Sequence, residues 1–271
     1  MGEQPRLPAE LEREIFETAA SMYSHSIPRL LRVARRVLTW IEPLLFRVVR
    51  VQKQHRHLLD ALLKKSPEFC CDAVRHLALL DPPAEYSMDE AIHLLQCCKR
   101  VTNLSFGGSF TPDPTLIPAV LGMRLRHLSV HLKHLTSDLT HPIFSSVTHL
   151  AIFDLEGNDQ ATLCAQIHTL PNLTHLSFFV HLPPANTVIA VLARCQGLEV
   201  FLVLSPNVDF ARTVSPAFYL HDIRFVVGTY VDYWDDWEAG AKGIPDFWSR
   251  ADDLVAARRL GQIEATRYWL R

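Results

Sequence analysis

The sequence has little glycine, only 10 residues in 271. None of these glycines lies in a loop of the kind that cradles phosphate, and the chain also lacks a nucleophile elbow and a His-Glu-x-x-His zinc motif. Serines, histidines and aspartates scattered along a chain do not by themselves make a catalytic triad. The sequence therefore predicts a binding protein without a cofactor, and no enzyme.

Long apolar runs and paired cysteines are also missing. No stretch reaches the roughly 18 uninterrupted apolar residues that cross a bilayer, and no apolar run follows a basic start at the amino terminus. The six cysteines include no Cys-x-x-Cys pair and form no disulfide framework. We expect a soluble protein with no membrane partner and no metal, in the reducing cytoplasm and/or nucleus.

The chain has almost no excess of either charge, but its charges are unevenly distributed along the sequence. The net charge is −2, which argues against general nucleic-acid binding. Residues 29–65 nevertheless hold ten Lys or Arg against two acids, whereas residues 232–253 hold seven acids against two basic residues. The basic segment is interpreted as a solvated helical face, and a surface for nucleic acid or an acidic partner is the alternative.

What the chain does contain is a repeated six-residue pattern, with apolar residues at its first, fourth and sixth places. The copies start at 46, 74, 101, 125, 147, 173, 198 and 223, and the last copy is the weakest. A central example is Val147, Leu150 and Ile152. The starts are 22 to 28 residues apart, about 25 on average.

An apolar hexamer at this period resembles the leucine-rich repeat family. That resemblance implies an α/β solenoid, in which each repeat contributes one parallel strand and a helical return segment. An ordinary doubly wound α/β sheet also alternates strands and helices, but it does not require near-identical strands at constant spacing. We therefore expect the solenoid, with short return segments where Pro114, Pro118 and Pro142 interrupt helices.

In the five hexamers that start at 74, 101, 125, 147 and 173, the third and fifth places carry small or polar residues. Side chains alternate across a strand, so these places should lie on the concave face, away from the leucines. Parallel stacking of strands about 4.8 Å apart would turn the histidines into a ladder. The ladder is interpreted as a solvated polar face, a protein-binding surface or, least favoured, a metal or proton-sensing site. The candidate target-binding residues are His76, Asn103, His127, His149, His175, Ser129 and Ser177.

The amino-terminal residues resemble a second family, the F-box proteins. The resemblance covers about residues 6–50 and rests on Leu7-Pro8-x-Glu10-Leu11-x-x-Glu14-Ile15-Phe16, then residues 30–36, then Trp40-Ile41-Glu42-Pro43-Leu44-Leu45-Phe46. It is closest to the short F-boxes that precede leucine-rich repeats in fungal proteins. The family pattern has its tryptophan about four residues after the valine, whereas Trp40 follows Val33 by seven, so Trp40 can point into the protein's own core.

The F-box resemblance implies a function and a partner. In that family the helices bind a Skp-type adaptor of a cullin-RING ubiquitin ligase, and the repeats bind the protein that is to be ubiquitinated. The protein target implied for this chain is unknown. Adaptor contact is implied for Leu7, Pro8, Leu11, Ile15, Leu31, Val33 and Trp40. The alternative is a repeat-based interaction scaffold with no link to ubiquitin, in which the front helices only cap the first repeat.

The last 42 residues differ in composition, with four of the five tryptophans and many acids. Most of these aromatic residues are expected to pack over the exposed end of the final repeat, and an aromatic recognition surface framed by acids is the alternative. The chain is thus predicted to comprise an F-box-like helical segment (1–45), a leucine-rich-repeat solenoid (46–229) and a helical carboxyl-terminal cap (230–271).

Overall fold

The computed structural model describes residues 7–52, 56–80, 87–136, 138–153, 159–179, 184–209 and 222–270. Parts of all three predicted segments, including residues 1–6, 210–221 and 271, lie outside this range. Within it, eight parallel strands form one sheet whose spatial order equals the chain order. They are β1 (Val48–Val51), β2 (His76–Leu79), β3 (Asn103–Phe106), β4 (His127–Val130), β5 (His149–Ile152), β6 (His175–Phe179), β7 (Val200–Ser205) and β8 (Phe225–Thr229).

The sheet confirms the repeat prediction at the level of strands and their order. Each strand begins two residues after a predicted hexamer start. Successive copies pair in the predicted register, so Leu77 pairs with Leu104, and Leu150 with Leu176. A doubly wound sheet would reverse its strand order at a switch point. No reversal occurs among the described strands, so the arrangement is solenoid-like.

Stacked apolar side chains form the main core between the sheet and the return helices. Leu77, Leu104, Leu128, Leu150 and Leu176 are almost completely buried, each against the repeats before and after it. Burying such a side chain contributes about 1.5–3 kcal/mol, and no single repeat could do this alone.

The prediction for the last hexamer was wrong by one residue. The frame placed Val226 beside Phe201, but Phe201 pairs with Phe225, and Val203 pairs with Val227. Side chains alternate along a strand, so this slip puts Phe225 in the main core and Val226 on the opposite face. Phe225 packs 6.0 Å from Phe201 between ring centroids, which continues the aromatic column of the core.

Return segments connect the strands as helices of varying length. The capping box predicted at Ser87 and Glu90 is present, and the proline-containing returns contain single-turn and 3₁₀ pieces as expected. The helices are α4 (Arg56–Leu63), α5 (Pro67–Ala73), α6 (Met88–Cys97), α7 (Ile117–Val120), α8 (Leu132–Leu135), α9 (Asp159–Gln166) and α10 (Ala185–Arg194).

Three helices precede the sheet: α1 (Ala9–Met22), α2 (Ile27–Leu30) and α3 (Arg35–Leu45). They enclose a small cluster of their own around Ala20, Ile27, Val37 and Ile41. Helix α3 packs on α5, and an ion pair joins it to the repeats through Glu42 and Lys65, 2.7 Å apart. The amino-terminal helices therefore contact the first repeats but keep a separate core.

Two carboxyl-terminal helices, α11 (Tyr233–Ala241) and α12 (Phe247–Arg259), lie on the sheet face opposite the return helices. The expectation that most of the aromatic tail covers the exposed end of the final repeat was wrong. Only the last residues follow it: Trp269 bridges to Val227, and Tyr268 packs against Phe225. The two helices pack on the sheet instead, because the sheet face opposite the return helices is apolar in its last strands.

Candidate functional site

The predicted histidine ladder exists. His127, His149 and His175 are register neighbours on three adjacent strands, and their rings stack nearly parallel with centroids 4.0 Å apart. His76 and Asn103 continue the register on β2 and β3. We call the side of the sheet that carries these residues the ladder face.

The ladder face is covered by the chain itself. Trp237 of α11 donates a hydrogen bond from Nε1 to Oδ1 of Asn103 at 3.0 Å. The hydroxyl groups of Tyr233 and Ser129 share a hydrogen bond of 3.0 Å. These contacts join helix α11 to β3 and β4.

Helix α12 covers the next two strands. Trp248 packs edge-on against His149 and His175, and His175 Nε2 lies 2.8 Å from Oδ1 of Asp252. Ser177, two residues after His175 on β6, is fully buried.

The open groove expected on this face is therefore filled over β3 to β6, where Asn103, Ser129 and the three stacked histidines make internal contacts. The two other candidates, His76 and Ser177, have buried side-chain atoms without a hydrogen-bond partner among the described residues.

Apolar residues on the last strands explain why helices pack here. Val200, Leu202 and Leu204 of β7 point to the ladder face, and all three are fully buried beneath helices α11 and α12 and their neighbours. A strand that is apolar on both faces is typical of a sheet covered on both sides. The run Val200-Phe201-Leu202-Val203-Leu204 was the sequence feature that could have predicted this cover.

Burial changes the acid–base chemistry of the ladder. It lowers the pKa of His76 and of His127 to about 4 and that of His149 to about 2, from an ordinary value of 6.5. The charge of Arg47 lowers the pKa of His76 further, and a proton on a neighbouring ring of the stack would lower that of His149. These rings are therefore neutral near pH 7, as close stacking requires.

One charged residue of the basic segment pairs with acids of the acidic segment within the protein. Arg50 of β1, whose side chain is 11% exposed, bonds at 2.8 Å to both Asp235 and Glu238 of α11. Burial alone would raise the pKa of Glu238, but hydrogen bonds from Lys242 and Arg50 hold it below its ordinary value. One residue of the basic segment thus anchors the acidic segment to the first strand.

The residues implied in adaptor binding fall into two groups. Leu7, Pro8, Leu11 and Ile15 are exposed at the start and along one side of α1, and Val33 is exposed after α2. In contrast, the other two, Leu31 and Trp40, pack against the internal cluster of the amino-terminal helices.

A cleft of about 480 Å³ runs along the exposed side of α1. Its apolar lining includes Leu7, Leu11, Ile15 and Met22, of which 45%, 48%, 54% and 68% is exposed. Soluble proteins rarely leave contiguous apolar side chains in water unless a partner covers them. We call this surface the α1 stripe.

Sequence reasoning missed a second cleft, of about 400 Å³, at the carboxyl ends of the parallel strands. We call it the edge cleft. Phe153, Phe179 and Tyr230 lie at or just beyond the ends of β5, β6 and β8. The start of α11 closes it, and the described residues that line it are Gly108, His131, Phe153, Phe179, Tyr230, Val231, Asp232, Tyr233 and Trp234.

Metal sites and membrane spans have no counterpart in the described residues. No group of three or more His, Cys, Asp or Glu in that part of the chain is placed to hold a metal ion. None of the helices described is long and apolar enough to cross a bilayer. No protein-family model matches the chain, and no curated protein matches it either.

Proposed function

We propose that the protein recruits a substrate to a ubiquitin ligase of the Skp/cullin/F-box type, with its amino-terminal helices bound to the Skp-type adaptor. The observation that carries this proposal is the α1 stripe. Five of the seven residues implied in adaptor contact by the F-box resemblance are exposed, and three of them line one apolar cleft.

The spacing of the stripe suits helix docking. Leu7, Leu11 and Ile15 are four residues apart, so Leu11 and Ile15 follow one side of α1, which Leu7 extends just before the helix. Apolar anchors at this spacing are the usual means by which a helix binds a hydrophobic groove on a partner. Glu12, on another side, is held by Arg36 of α3 at 2.6 Å, which steadies the helix without covering the stripe.

The same proposal gives the sheet a supporting role. Its ladder face packs α11 and α12, so the target would bind at a surface other than His76, Asn103, His127, His149, His175, Ser129 and Ser177. Ubiquitin transfer would be performed by other subunits of the ligase, which agrees with the expectation that this chain is not an enzyme.

The rival function is an interaction scaffold with no ubiquitin link. The observation that favours it is the position of Leu31 and Trp40, which stabilise the internal cluster of the amino-terminal helices and are only partly accessible to a partner. In that case the α1 stripe would bind a protein other than a Skp-type adaptor.

Binding to a purified Skp-type adaptor separates the two functions. The full chain should co-elute with the adaptor in size-exclusion chromatography, and the double variant Leu11→Glu/Ile15→Glu should lose binding at least about 100-fold, since two buried apolar anchors are worth several kcal/mol. Ile189→Glu is the matched control, because Ile189 is equally exposed, at 52%, on α10.

Two results would contradict the proposal. Absence of binding between the parent chain and the adaptor would favour the scaffold. Binding of the double variant as tight as that of Ile189→Glu would remove the α1 stripe from the interface. Circular dichroism of each variant establishes that it is folded.

A further inference from the structure

The edge cleft lies outside the carboxyl ends of the parallel strands. Its volume of about 400 Å³ falls within the range of small-molecule sites. It is distinct from the α1 stripe and borders the ladder face, where Tyr233 is bonded to Ser129. The packing of α11 on that face does not by itself explain the aromatic rings that stay partly exposed in the cleft.

Aromatic rings form the walls of the cleft at steep angles to one another. The ring of Tyr233 is perpendicular to Phe153 and Phe179, at 89° to each, and Trp234 is inclined by 63° to Phe153. A flat aromatic ligand would favour parallel rings on which to stack. Tyr233 and Phe179 are themselves buried, so the rings that a compact cation could contact in the cleft are the partly exposed ones of Phe153, Tyr230 and Trp234.

Apart from the imidazole of His131, the described residues that line the cleft carry charge of one sign. Among its nine described lining residues is one carboxylate, Asp232, and neither lysine nor arginine. Burial, and next the charge of Asp232, raise the pKa of Tyr230, so the negative field of the carboxylate reaches the rings. Asp232 uses Oδ1 to accept hydrogen bonds from the backbone of Trp234 and Asp235. The field and the π-faces both favour a positive ligand.

The walls are held before any ligand arrives. The hydroxyl of Tyr233 is bonded to Ser129 of β4. Trp234 lies so close to Gly107 that a Cβ added there would be 2.3 Å from Cζ2 of the indole. Glycine at position 107 is thus what allows Trp234 its position, and a preorganised site loses little entropy on binding.

From this geometry we infer that the edge cleft binds an alkylated ammonium group, held by cation–π contacts with Phe153, Tyr230 and Trp234 and by the carboxylate of Asp232. The group could belong to a free quaternary ammonium compound or to a methylated lysine of a protein. This inference goes beyond adaptor binding and does not depend on it, because its test needs no adaptor.

Titration calorimetry of the full chain with choline and with its uncharged carbon analogue 3,3-dimethylbutanol tests the charge requirement. Choline should bind about tenfold more tightly, since a partly desolvated cation–π site is worth on the order of 1–2 kcal/mol. Equal affinities would reduce the cleft to an apolar pocket and overturn the inference, as would a lack of binding by both probes and by the peptides below.

A second arm distinguishes the two sources of the ligand. A peptide containing trimethyllysine is compared with the same peptide containing unmodified lysine. Binding of the methylated peptide with no binding of choline identifies a protein side chain as the ligand, whereas similar binding of both shows that the head group suffices. Either result supports the cation site.

Two variants locate the binding in the edge cleft. Asp232→Asn should weaken choline binding several-fold with unchanged thermal stability, because asparagine also caps a helix but carries no charge. Asp253→Asn, at an exposed position of α12 outside the cleft, is the charge-matched control and should bind like the parent. Gly107→Ala keeps every aromatic ring and the charge but displaces Trp234, and it should also weaken binding. Equal affinity in all three variants would place the ligand elsewhere.

Discussion

Replacing His149 with phenylalanine should make the protein less sensitive to mild acid. His149 is the middle ring of the stack, 4.0 Å from His127 and from His175, and Trp248 covers it. Its folded-state pKa is about 2, against an ordinary value of 6.5. A phenyl ring fills nearly the same stacked position but takes up no proton.

The magnitude follows from proton linkage. A histidine whose pKa is depressed by folding contributes stability that is fully present above about pH 6.5 and is lost as the pH falls toward the folded-state pKa. Each pH unit within that window costs about 1.4 kcal/mol per group. Between pH 7.5 and pH 5, His149 alone should cost about 2 kcal/mol, and His76 and His127 a similar amount each.

Urea unfolding of the parent and the variant between pH 7.5 and pH 5 measures this difference. The free energy of unfolding of His149→Phe should fall by about 2 kcal/mol less than that of the parent over this interval. The control is His168→Phe, at an exposed position in the return segment before β6, which should keep the pH dependence of the parent. The reasoning is refuted if both variants and the parent lose stability equally on acidification.

Two further predictions concern the cover of the ladder face and the thiols. Trp237→Phe leaves the buried side-chain oxygen Oδ1 of Asn103 without its hydrogen-bond donor, so the free energy of unfolding of this variant, measured in urea, should fall by about 1–3 kcal/mol. The control is Ile244→Ala, at an exposed apolar position. A loss of stability no larger than that of the control would contradict this role of Trp237. Burial raises the pKa of the Cys98 thiol above its ordinary range and that of Cys164 to about 12. Both thiols should therefore stay unmodified, as measured by mass spectrometry, when the native protein is treated with iodoacetamide at pH 8. Rapid labelling at either site would show that its repeat opens.

The strand positions could be predicted because they depend on local sequence and spacing. Leucine at the fourth place of a hexamer is buried only if the next hexamer pairs beside it in the same register. The one slip, at β8, occurred where Phe225, Val226 and Val227 are all apolar, so the alternation that identifies the buried face was absent. The helical spacing of Leu11 and Ile15 placed them on one side of a helix, but only the structure showed that this side is exposed, and the protein that covers it stays a prediction.

The edge cleft could not be predicted because its walls come from separate repeats and from the chain terminus. Phe153 and Trp234 are distant in sequence and meet only when α11 folds back across the strand ends. Aromatic residues framed by acids near the carboxyl terminus are evident in the sequence, and they are the part of the site that lies within one segment. Phe153 and Phe179 each occupy the place directly after a hexamer, but Leu80, Gly107 and His131 fill that place in other repeats, so the pattern did not single out an aromatic cleft.

The sequence by itself determined that apolar hexamers stack as parallel strands in chain order, because a repeat of this length can bury its leucines only against its neighbours. It also determined that β7 must be covered on both faces, since Val200 and Leu202 are large and apolar where the five preceding repeats have polar or small residues. Tertiary structure alone decided what covers them. The hydrogen bonds from Tyr233 to Ser129 and from Trp237 to Asn103 join residues 104 and 134 positions apart. A local apolar pattern shows that a strand must be buried, but it does not show which distant segment covers it.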